Sequence, residues 1–439
     1  MAKPKPLRWR NWSREQTCSP IQIFRPHTRE GLIAAVVAAR ENDRRIRVAA
    51  SGHSFSETAL TNNVMLRLEQ LDRILDVDRA SGLVRVEGGI VLGDLTRRLA
   101  RHGLALENLG DIDRQTLAGS ISTGTHGTGT RFGNLSSQVE SMDLIDAEGG
   151  VVELNGSSDP EALRAARVAI GALGVIYSLT LRTVPSFRID RTDRPRPRAE
   201  VLERLDDLAD DLDHFEFYAF PHADTVLCRE SSRTDRPPEP RNAAAVYAQE
   251  VIVENWVASA FVAMARRAPG LIPTLSRLAM SGTGKSRTLD EGYRVYASER
   301  RVRFTEMEYA IPRERAREAV ERVFEIASRP DLGVAFPIEL RFVAADDAML
   351  SPSHDRDSAY IAVHYDHRGE WQPYFEAVAD LMAGFEGRPH WGKRHSLDAG
   401  ALRRLYPRFA DFGAVRRRLD PEGAFANGYT DRVLGPIGG

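Results

Sequence analysis

The most constraining feature of this sequence is a twelve-residue stretch, residues 119–130, that holds four glycines and six hydroxyl side chains. Such residues let the backbone approach another group closely, and their hydroxyl and N–H groups can hydrogen-bond to an anion. A shorter stretch of the same kind, residues 51–56, directly follows a predicted strand at residues 46–50. Either stretch alone is compatible with a tight turn. Because both fall in one region of the chain, we predict that they form a cradle for a pyrophosphate-like group.

Two better-known phosphate-binding patterns do not fit the sequence. No Gly-x-Gly-x-x-Gly follows a predicted strand and opens a helix, which disfavours a nicotinamide dehydrogenase with a Rossmann fold. Residues 281–286 resemble the end of a Walker A loop, but Ala279 occupies the place of its first glycine and the preceding residues have a helical pattern. A P-loop ATPase is therefore disfavoured as well.

Composition favours a packed protein with a small-molecule partner. The 439 residues are enough for two or three domains, and 60 Lys and Arg against 62 Asp and Glu leave no positive excess for nucleic acid. No stretch reaches the roughly 18 apolar residues of a transmembrane helix. The basic start of the chain lacks the apolar core of a secretory signal. We therefore expect a cytoplasmic protein.

The metal-ligating residue types do not indicate a metal centre. Cys18 and Cys228 are too few for a thiolate site or a disulfide framework. Two histidine pairs lack the i, i+4 spacing of a helical zinc site, and these are His364 with His367 and His390 with His395. No metal is predicted.

Hydrophobic patterning divides the chain into two parts that mix strands and helices. The first 185 or so residues include a helix capped by Thr28, and a charged, proline-interrupted segment at residues 187–197 indicates a boundary. The second part includes a polar loop predicted at residues 231–241 and an apolar helical stretch at 246–265. The tail, residues 402–434, is predicted to begin as helix and end as loop.

Four side chains are candidate functional residues because of where they lie in the sequence. Glu339 and Arg341 alternate on a predicted strand, so both point to one face, although this spacing also fits a surface ion pair. His53 and His126 lie inside the two glycine-rich stretches, where each is either a turn residue or a functional ring.

Six segments spread over nearly the whole chain form a recognisable set. They are Ser51-Gly-His-Ser-Phe-Ser, Val86-Glu-Gly-Gly, Asn108-Leu-Gly-Asp-Ile-Asp-Arg-Gln-Thr-Leu-Ala-Gly, Ser122-Thr-Gly-Thr-His-Gly-Thr-Gly, Gly171-Ala-Leu-Gly-Val-Ile and His390-Trp-Gly-Lys. Together they resemble the sugar-lactone oxidoreductases of the vanillyl-alcohol-oxidase flavoprotein superfamily. Within it, the similarity is greatest to the aldonolactone oxidases and dehydrogenases.

The resemblance implies an α+β fold with FAD as cofactor. A two-subdomain, PCMH-type FAD-binding domain is expected at residues 19–187, and an α/β substrate (cap) domain with a large antiparallel sheet at 188–400. Residues 401–439 are expected to return to the FAD domain. His53 is implied to bond covalently to the flavin 8α-methyl group, as in members that keep Gly-His-Ser there. The implied cofactor-binding residues are Ala50, Ser51, Gly52, His53, Ser54, Phe55, Ser56, Gly110, Asp111, Gly119, Ser122, Thr123, Gly124, Thr125, His126, Gly127, Gly174, Val175 and Ile176.

The resemblance also implies which residues face the substrate. In related sugar and polyol oxidases, the positions of Glu339, Arg341 and Lys393 line the pocket before the flavin, and His364 matches a further lining position. Removing hydride from a carbinol carbon leaves a proton on oxygen, so nearby cations stabilise the developing alkoxide. We assign this stabilisation to Arg341 and Lys393, and hydroxyl positioning or proton acceptance to Glu339.

Two neighbouring positions refine the expected substrate and electron acceptor. Asp111 stands where polyol oxidases place a Ser that contacts the substrate, which favours a lactone over a polyol. Gly110 stands where a small residue opens the flavin C4a region to dioxygen and Ala blocks it. Oxidase activity is therefore permitted, but close relatives that prefer cytochrome or dye acceptors leave the acceptor open.

The main hypothesis is an enzyme that oxidises C2 of an aldono-1,4-lactone by hydride transfer to flavin N5. The 2-keto lactone would tautomerise to an ascorbate-type enediol, and the flavin would be reoxidised by dioxygen or a cytochrome-type acceptor. Membrane association through a redox partner stays open. The alternatives are an alditol or oligosaccharide oxidase on the same scaffold and a nucleotide-binding regulator without catalysis.

Overall fold

The computed structural model describes residues 7–239, 258–297 and 302–437. Two large antiparallel sheets organise these residues, one in each half of the chain. The first half also contains a small parallel sheet, and helices pack beside the sheets in both halves.

The first half is built from short strands and four helices. Its strands are β1 (Trp9–Arg10), β2 (Thr17–Cys18), β3 (Gln22–Phe24), β4 (Ile46–Val48), β5 (Val64–Leu66), β6 (Ile74–Asp78), β7 (Leu83–Glu87), β8 (Leu104–Ala105), β9 (Val139–Ile145), β10 (Val151–Asn155), β11 (Val175–Arg182) and β12 (Val184–Pro185). Its helices are α1 (Arg29–Arg40), α2 (Leu92–Arg101), α3 (Leu117–Ser122) and α4 (Pro160–Arg167). The order β3-β5-β4 forms the parallel sheet, and β10-β9-β11-β7-β6 forms the five-stranded antiparallel sheet. The predicted helix cap is confirmed, because the Thr28 hydroxyl accepts the Gly31 N–H at the start of α1.

The second half is organised by an eight-stranded sheet. Its strands are β13 (Arg188–Pro197), β14 (His214–Ala219), β15 (Thr225–Thr234), β16 (Ser286–Glu291), β17 (Phe304–Pro312), β18 (Ile338–Val343), β19 (Ser358–Asp366) and β20 (Arg388–Pro389). The described helices are α5 (Arg198–Glu203), α6 (Leu205–Asp211), α7 (Ala258–Arg267), α8 (Ile272–Ser281), α9 (Gly292–Tyr296), α10 (Ala316–Ala327), α11 (Gln372–Ala383), α12 (Ala399–Leu405), α13 (Phe409–Leu419) and α14 (Gly428–Leu434). The strand order is β16-β13-β15-β14-β18-β19-β17-β20, and every neighbouring pair is antiparallel. The predicted α+β class and its large antiparallel sheet are confirmed.

Strand alternation gives the eight-stranded sheet one apolar and one polar face. In β18, Ile338, Leu340 and Phe342 belong to a buried cluster with helices α5, α6, α10 and α11. Glu339 and Arg341 alternate with them and therefore point to the opposite face. The helices thus cover the apolar face and leave the polar face for the glycine-rich loops of the first half.

Residues 187–197, expected to form an interrupted boundary, are almost entirely a strand. β13 pairs with β15 along its whole length but with β16 only over its first six residues. Pro195 and Pro197 therefore lie where one side of the strand has no neighbour, a position that tolerates a missing N–H. The charges are balanced across the sheet, since Arg194 pairs with Glu230 on β15. The charged, proline-interrupted pattern is therefore that of a strand, and the domain boundary expected there stays a prediction.

Three smaller expectations also differ from the structure. The polar loop predicted at residues 231–241 begins later, because β15 extends to Thr234. Of the helical stretch predicted at 246–265, residues 246–257 lie outside the described residues. The tail ends in helix α14 rather than in a loop, because Asn427 begins it with a capping box to Thr430.

The C-terminal tail packs against the first strands of the chain. Ala424 and Phe425 share a buried cluster with β4 and β5. The Ile46 N–H donates to the Ala424 carbonyl over 2.7 Å, and the Asn427 amide donates to the Leu60 carbonyl over 2.9 Å. Segments from both ends of the chain thus form one folded unit. Among the described residues, none of the helices is long and apolar enough to cross a lipid bilayer.

Candidate active site

The polar face of the eight-stranded sheet carries charged side chains on neighbouring strands. The register places Tyr218 opposite Glu339 and His364 opposite Glu306. Arg341, two residues after Glu339 on β18, points to the same face. Because Glu339 and Arg341 are both buried, they are part of an internal polar cluster and not a surface ion pair.

Arg341 is held among carboxylates. Its Nε donates to Glu216 Oε2 over 2.8 Å, and its guanidinium also pairs with Asp111 and Glu339. The Tyr218 hydroxyl donates to Asp111 over 2.8 Å. Burial alone would lower the pKa of Arg341, but the surrounding carboxylates raise it well above its usual value. Arg341 is therefore a fixed cation whose position is set by three acids.

Lys393 is a second cation of this cluster, with 21% of its side chain exposed. Its ammonium pairs with Glu306 and lies 3.9 Å from Glu308 Oε2. Burial would lower the pKa of Lys393, but these carboxylates raise it. The preceding turn is fixed, because the Trp391 indole N–H donates to the Leu350 carbonyl over 2.6 Å. Lys393 is thus charged at neutral pH and held in place.

His126, Glu308 and His390 form a cluster whose ligand atoms lie within 4.8 Å of one another. His126 Nδ1 lies 2.8 Å from the Gly127 carbonyl, so it carries a hydrogen, and its Nε2 faces Glu308 at 3.3 Å. The Gly392 N–H donates to His390 Nδ1 over 3.0 Å, which places the His390 hydrogen on Nε2. Burial lowers the pKa of His390 to about 3, so the ring is neutral. With the Gly392 N–H on its Nδ1 lone pair and its hydrogen on Nε2, His390 presents no lone pair to a metal ion in this tautomer.

Two neighbouring cavities bring most of the candidate residues together. One is a cleft and the other a smaller pocket, and Gln115 lines both. The implied cofactor-binding residues that line the cleft are Ala50, Ser51, Gly52, His53, Ser54, Ser56, Gly119, Ser122, Thr123, Gly174 and Ile176. The candidates that line the pocket are Gly110, Asp111, Thr125, His126, Glu339, Arg341, His364 and Lys393. Four implied cofactor-binding residues line neither cavity, namely Phe55, Gly124, Gly127 and Val175.

The shape of the cleft depends on glycines that let the two glycine-rich stretches meet. A Cβ on Gly119 would lie 2.8 Å from the Ala50 Cβ, closer than side chains pack. Gly52 has φ +74°, in the left-handed region that glycine adopts readily, and a Cβ there would lie 3.1 Å from the Trp9 ring. The two stretches therefore lie against each other, and residues of both line the cleft.

Arg47 supplies the cleft with a buried positive charge. It donates to main-chain carbonyls, including those of Phe425 at 2.6 Å and Ile170 at 2.8 Å, and no carboxylate pairs with it among the described residues. Burial, with repulsion from Arg416, lowers the pKa of Arg47 to about 10, so it remains charged at neutral pH. Asp420 and Asp431 offset this charge only from beyond ion-pair distance, so the pyrophosphate of FAD would add to its balance.

His53 lines the cleft in a neutral, oriented form. Its ring stacks on Trp12 with centroids 5.8 Å apart and planes at 27°. Two residues later, the Phe55 N–H donates to the Gly392 carbonyl over 2.7 Å, which ties this stretch to the turn that carries Lys393. Burial and then nearby cations lower the pKa of His53 to about 4. At neutral pH the ring thus has a nitrogen lone pair, the form that a nucleophile requires.

The sequence analysis did not predict several residues of the site. Their patterns in the sequence were weak but present. Glu306 and Glu308 alternate within an otherwise apolar strand, the same pattern that identified Glu339. Arg47 is a single charge in a short strand just before a glycine-rich stretch. The other unpredicted members are Glu216, Tyr218 and His390.

Comparisons with known proteins find families and relatives that cover most of this chain. The family described as "D-arabinono-1,4-lactone oxidase" matches residues 179–433, and "FAD binding domain" matches residues 20–155. The L-gulono-1,4-lactone dehydrogenase of Mycobacterium tuberculosis is 47% identical over 431 residues, which cover 98% of this chain and 99% of that protein. The L-gulonolactone oxidase of Bos taurus is 34% identical, with 98% and 99% covered. The crystal structure of cholesterol oxidase from B. sterolicum shares the fold, with a TM-score of 0.81 at 16% identity over 98% of this chain and 97% of that one.

Proposed function

This chain belongs to the FAD-dependent aldonolactone oxidoreductases, and we propose that it oxidises the C2 hydroxyl of an aldono-1,4-lactone to a 2-keto lactone, which tautomerises to an ascorbate-type product. The family resemblance drawn from the sequence motifs is confirmed. Two relatives matched over nearly their whole length are named for L-gulonolactone, so L-gulono-1,4-lactone is the first substrate to test. L-Galactono- and D-arabinono-1,4-lactone follow it.

One observation carries the proposal: the pocket beside the cofactor cleft is lined by two cations, the buried Arg341 and the partly buried Lys393. As hydride leaves C2, negative charge develops on the hydroxyl oxygen, and cations already in place stabilise that charge most. Carboxylates hold both side chains, so neither has to reorganise as the charge forms. FAD, when bound, supplies the hydride acceptor.

The remaining roles follow from the same pocket. Glu339 adjoins Arg341, so a substrate hydroxyl bound by the guanidinium lies within reach of a carboxylate that can accept its proton. His364 Nδ1 lies 3.0 Å from the Pro337 carbonyl, which orients Nε2 toward Glu306 at 3.6 Å. We assign His364 to positioning the substrate.

Asp111 supports a lactone as substrate over a polyol. Its carboxylate is engaged by Arg341 and by the Tyr218 hydroxyl, so it helps to fix the cation. A neutral Ser at this position could hydrogen-bond to a polyol hydroxyl, whereas the engaged carboxylate serves the ion-pair network.

We also propose that His53 carries the flavin covalently through the 8α-methyl group. Its neutral ring in the cleft supports this assignment. We further assign residues 19–187 to the FAD-binding domain, 188–400 to the cap, and 401–439 to a segment that completes the FAD domain.

The electron acceptor in this proposal is either dioxygen or a cytochrome-type protein. Gly110 permits dioxygen to reach the flavin, but it also has a packing reason, since a Cβ there would lie 2.9 Å from the His126 carbonyl oxygen. Glycine at this position is therefore not by itself a sign of an oxidase. Hydrogen peroxide release, measured against reduction of a cytochrome, distinguishes the two acceptors.

Anaerobic bleaching of the flavin absorbance tests the proposed reaction. L-Gulono-1,4-lactone should bleach the bound flavin, and a polyol such as xylitol should do so much more slowly. Arg341→Met should abolish bleaching while the protein keeps its flavin. Faster bleaching by the polyol would favour an alditol oxidase, and a flavin that no sugar bleaches would favour a regulator without catalysis.

A further inference from the structure

Helices α7 and α8 expose large apolar side chains. Met264, Leu271 and Leu278 are 44%, 46% and 65% exposed. They are three of the seven large apolar residues that are strongly exposed among the described residues, and they fall within fifteen consecutive positions. Leu278 lies within α8, and Leu271 lies in the turn directly before it, between α7 and α8.

These exposed side chains are not part of an incomplete hydrophobic core, because the two helices already pack against the protein by another side. Ala265 of α7 and Ile272 of α8 are buried in one cluster with Ala335. Arg266 also anchors α7, through an ion pair of 3.0 Å with Asp366 on β19. The pair is thus attached to the sheet by one side and presents a second, apolar side to solvent.

The same region is basic and contains no acidic residue. Of the 439 residues of the chain, 62 are Asp or Glu, but none of them lies between residues 258 and 289. Five cations fall in this range, namely Arg266, Arg267, Arg277, Lys285 and Arg287. Two of them pair with carboxylates elsewhere on the protein. The other three form no ion pair among the described residues, and these are Arg267, Arg277 and Lys285.

We propose that this surface docks on an anionic lipid bilayer. We call it the α7–α8 surface, and define it by the three exposed apolar residues and the three unpaired cations. Apolar side chains flanked by cations, in a stretch of sequence without acidic residues, suit an interfacial helix, whose apolar side enters the headgroup region while its cations meet anionic lipids. None of these six residues lines the cleft or the pocket, so docking leaves the reaction site unchanged.

Co-sedimentation of the flavin-loaded protein with lipid vesicles tests the proposal. The protein should bind vesicles rich in phosphatidylglycerol and not vesicles of phosphatidylcholine alone, and binding should weaken as salt is raised. Arg277→Gln should weaken binding about fivefold, the effect of one cation at an anionic surface. Leu271→Asn/Leu278→Asn should abolish most of it.

Ile21→Asn is the matched control, because Ile21 is 55% exposed in the other half of the chain and its replacement should leave vesicle binding unchanged. Thermal unfolding and flavin content confirm that each variant is folded, independently of any lactone turnover. Absence of binding to anionic vesicles, equal binding to both vesicle types, or full binding by the Leu double variant overturns the proposal. Failure of the proposed reaction would leave these outcomes unaffected.

Discussion

Replacing Lys393 with Met should separate its role in the reaction from its role in the fold. In the pocket, two unit charges about 4 Å apart interact by about 4 kcal/mol at an effective dielectric constant near 20. Removing one preorganised group that stabilises a developing oxyanion typically slows the reaction by about 10²–10³. We expect Lys393→Met to slow anaerobic flavin reduction by that factor while the protein retains its flavin.

Lys393→Met also leaves a buried carboxylate without its partner cation, which separately lowers the stability of the fold. Glu306 pairs with Lys393, and removing one partner of a buried ion pair typically destabilises a protein by about 3–5 kcal/mol. The double variant Lys393→Met/Glu306→Gln removes the stranded charge as well. It should therefore recover most of the stability in urea unfolding but none of the reduction rate.

Arg394→Met is the matched control. Arg394 pairs with Glu15 over 2.8 Å outside the pocket, so its loss should lower stability without slowing flavin reduction. Stopped-flow absorbance gives the rate, and urea unfolding gives the stability. The reasoning is refuted if the double variant regains the rate, or if Lys393→Met stays within about tenfold of the parent.

Three further predictions concern the cleft and the fold. Acid precipitation of the parent should leave the yellow colour in the pellet, and His53→Ala should release it to the supernatant; colour released by the parent as well would contradict the covalent bond. Gly119→Ala should lower flavin occupancy and cost about 1–3 kcal/mol, because its Cβ would meet Ala50; unchanged absorbance ratio and unfolding midpoint would contradict this. Burial lowers the pKa of His214 to about 4 from its usual 6.5, so the neutral ring stabilises the fold above pH 6.5 and this contribution is lost as pH falls toward 4. The loss amounts to about 3 kcal/mol, and His214→Gln should flatten the pH dependence of the urea midpoint over this range; an equally steep profile would argue against it.

Local pattern in the sequence found part of the candidate site and missed the part that depends on strand order. Glu339 and Arg341 were identified because they alternate on one strand and match a family motif. Glu306 and Glu308 alternate in the same way, but no motif marked them. Their strand lies two places from β18 in the sheet, with β19 between, and no local signal in the sequence reveals that order.

Charge balance was also invisible in the sequence. Asp111 lies 230 positions from Arg341, yet its carboxylate pairs with that guanidinium. The arginines of β13 pair with carboxylates on the neighbouring strands, and nothing in their own segment of the sequence marks those partners. The overall class was predictable because strand alternation and helix caps are local, whereas ion pairs across the sheet depend on which strands become neighbours.

The attachment of the C-terminal tail has a consequence for how the protein matures. The Phe425 carbonyl accepts a hydrogen bond from the Arg47 side chain, and the Asn427 side chain donates to the main chain of residues 57–60. Both residues must therefore be synthesised before the cleft wall around Arg47 can be completed. A nascent chain lacking them would offer FAD only an open groove. FAD binding is therefore expected to follow translation. Cells short of riboflavin should accumulate full-length protein without flavin.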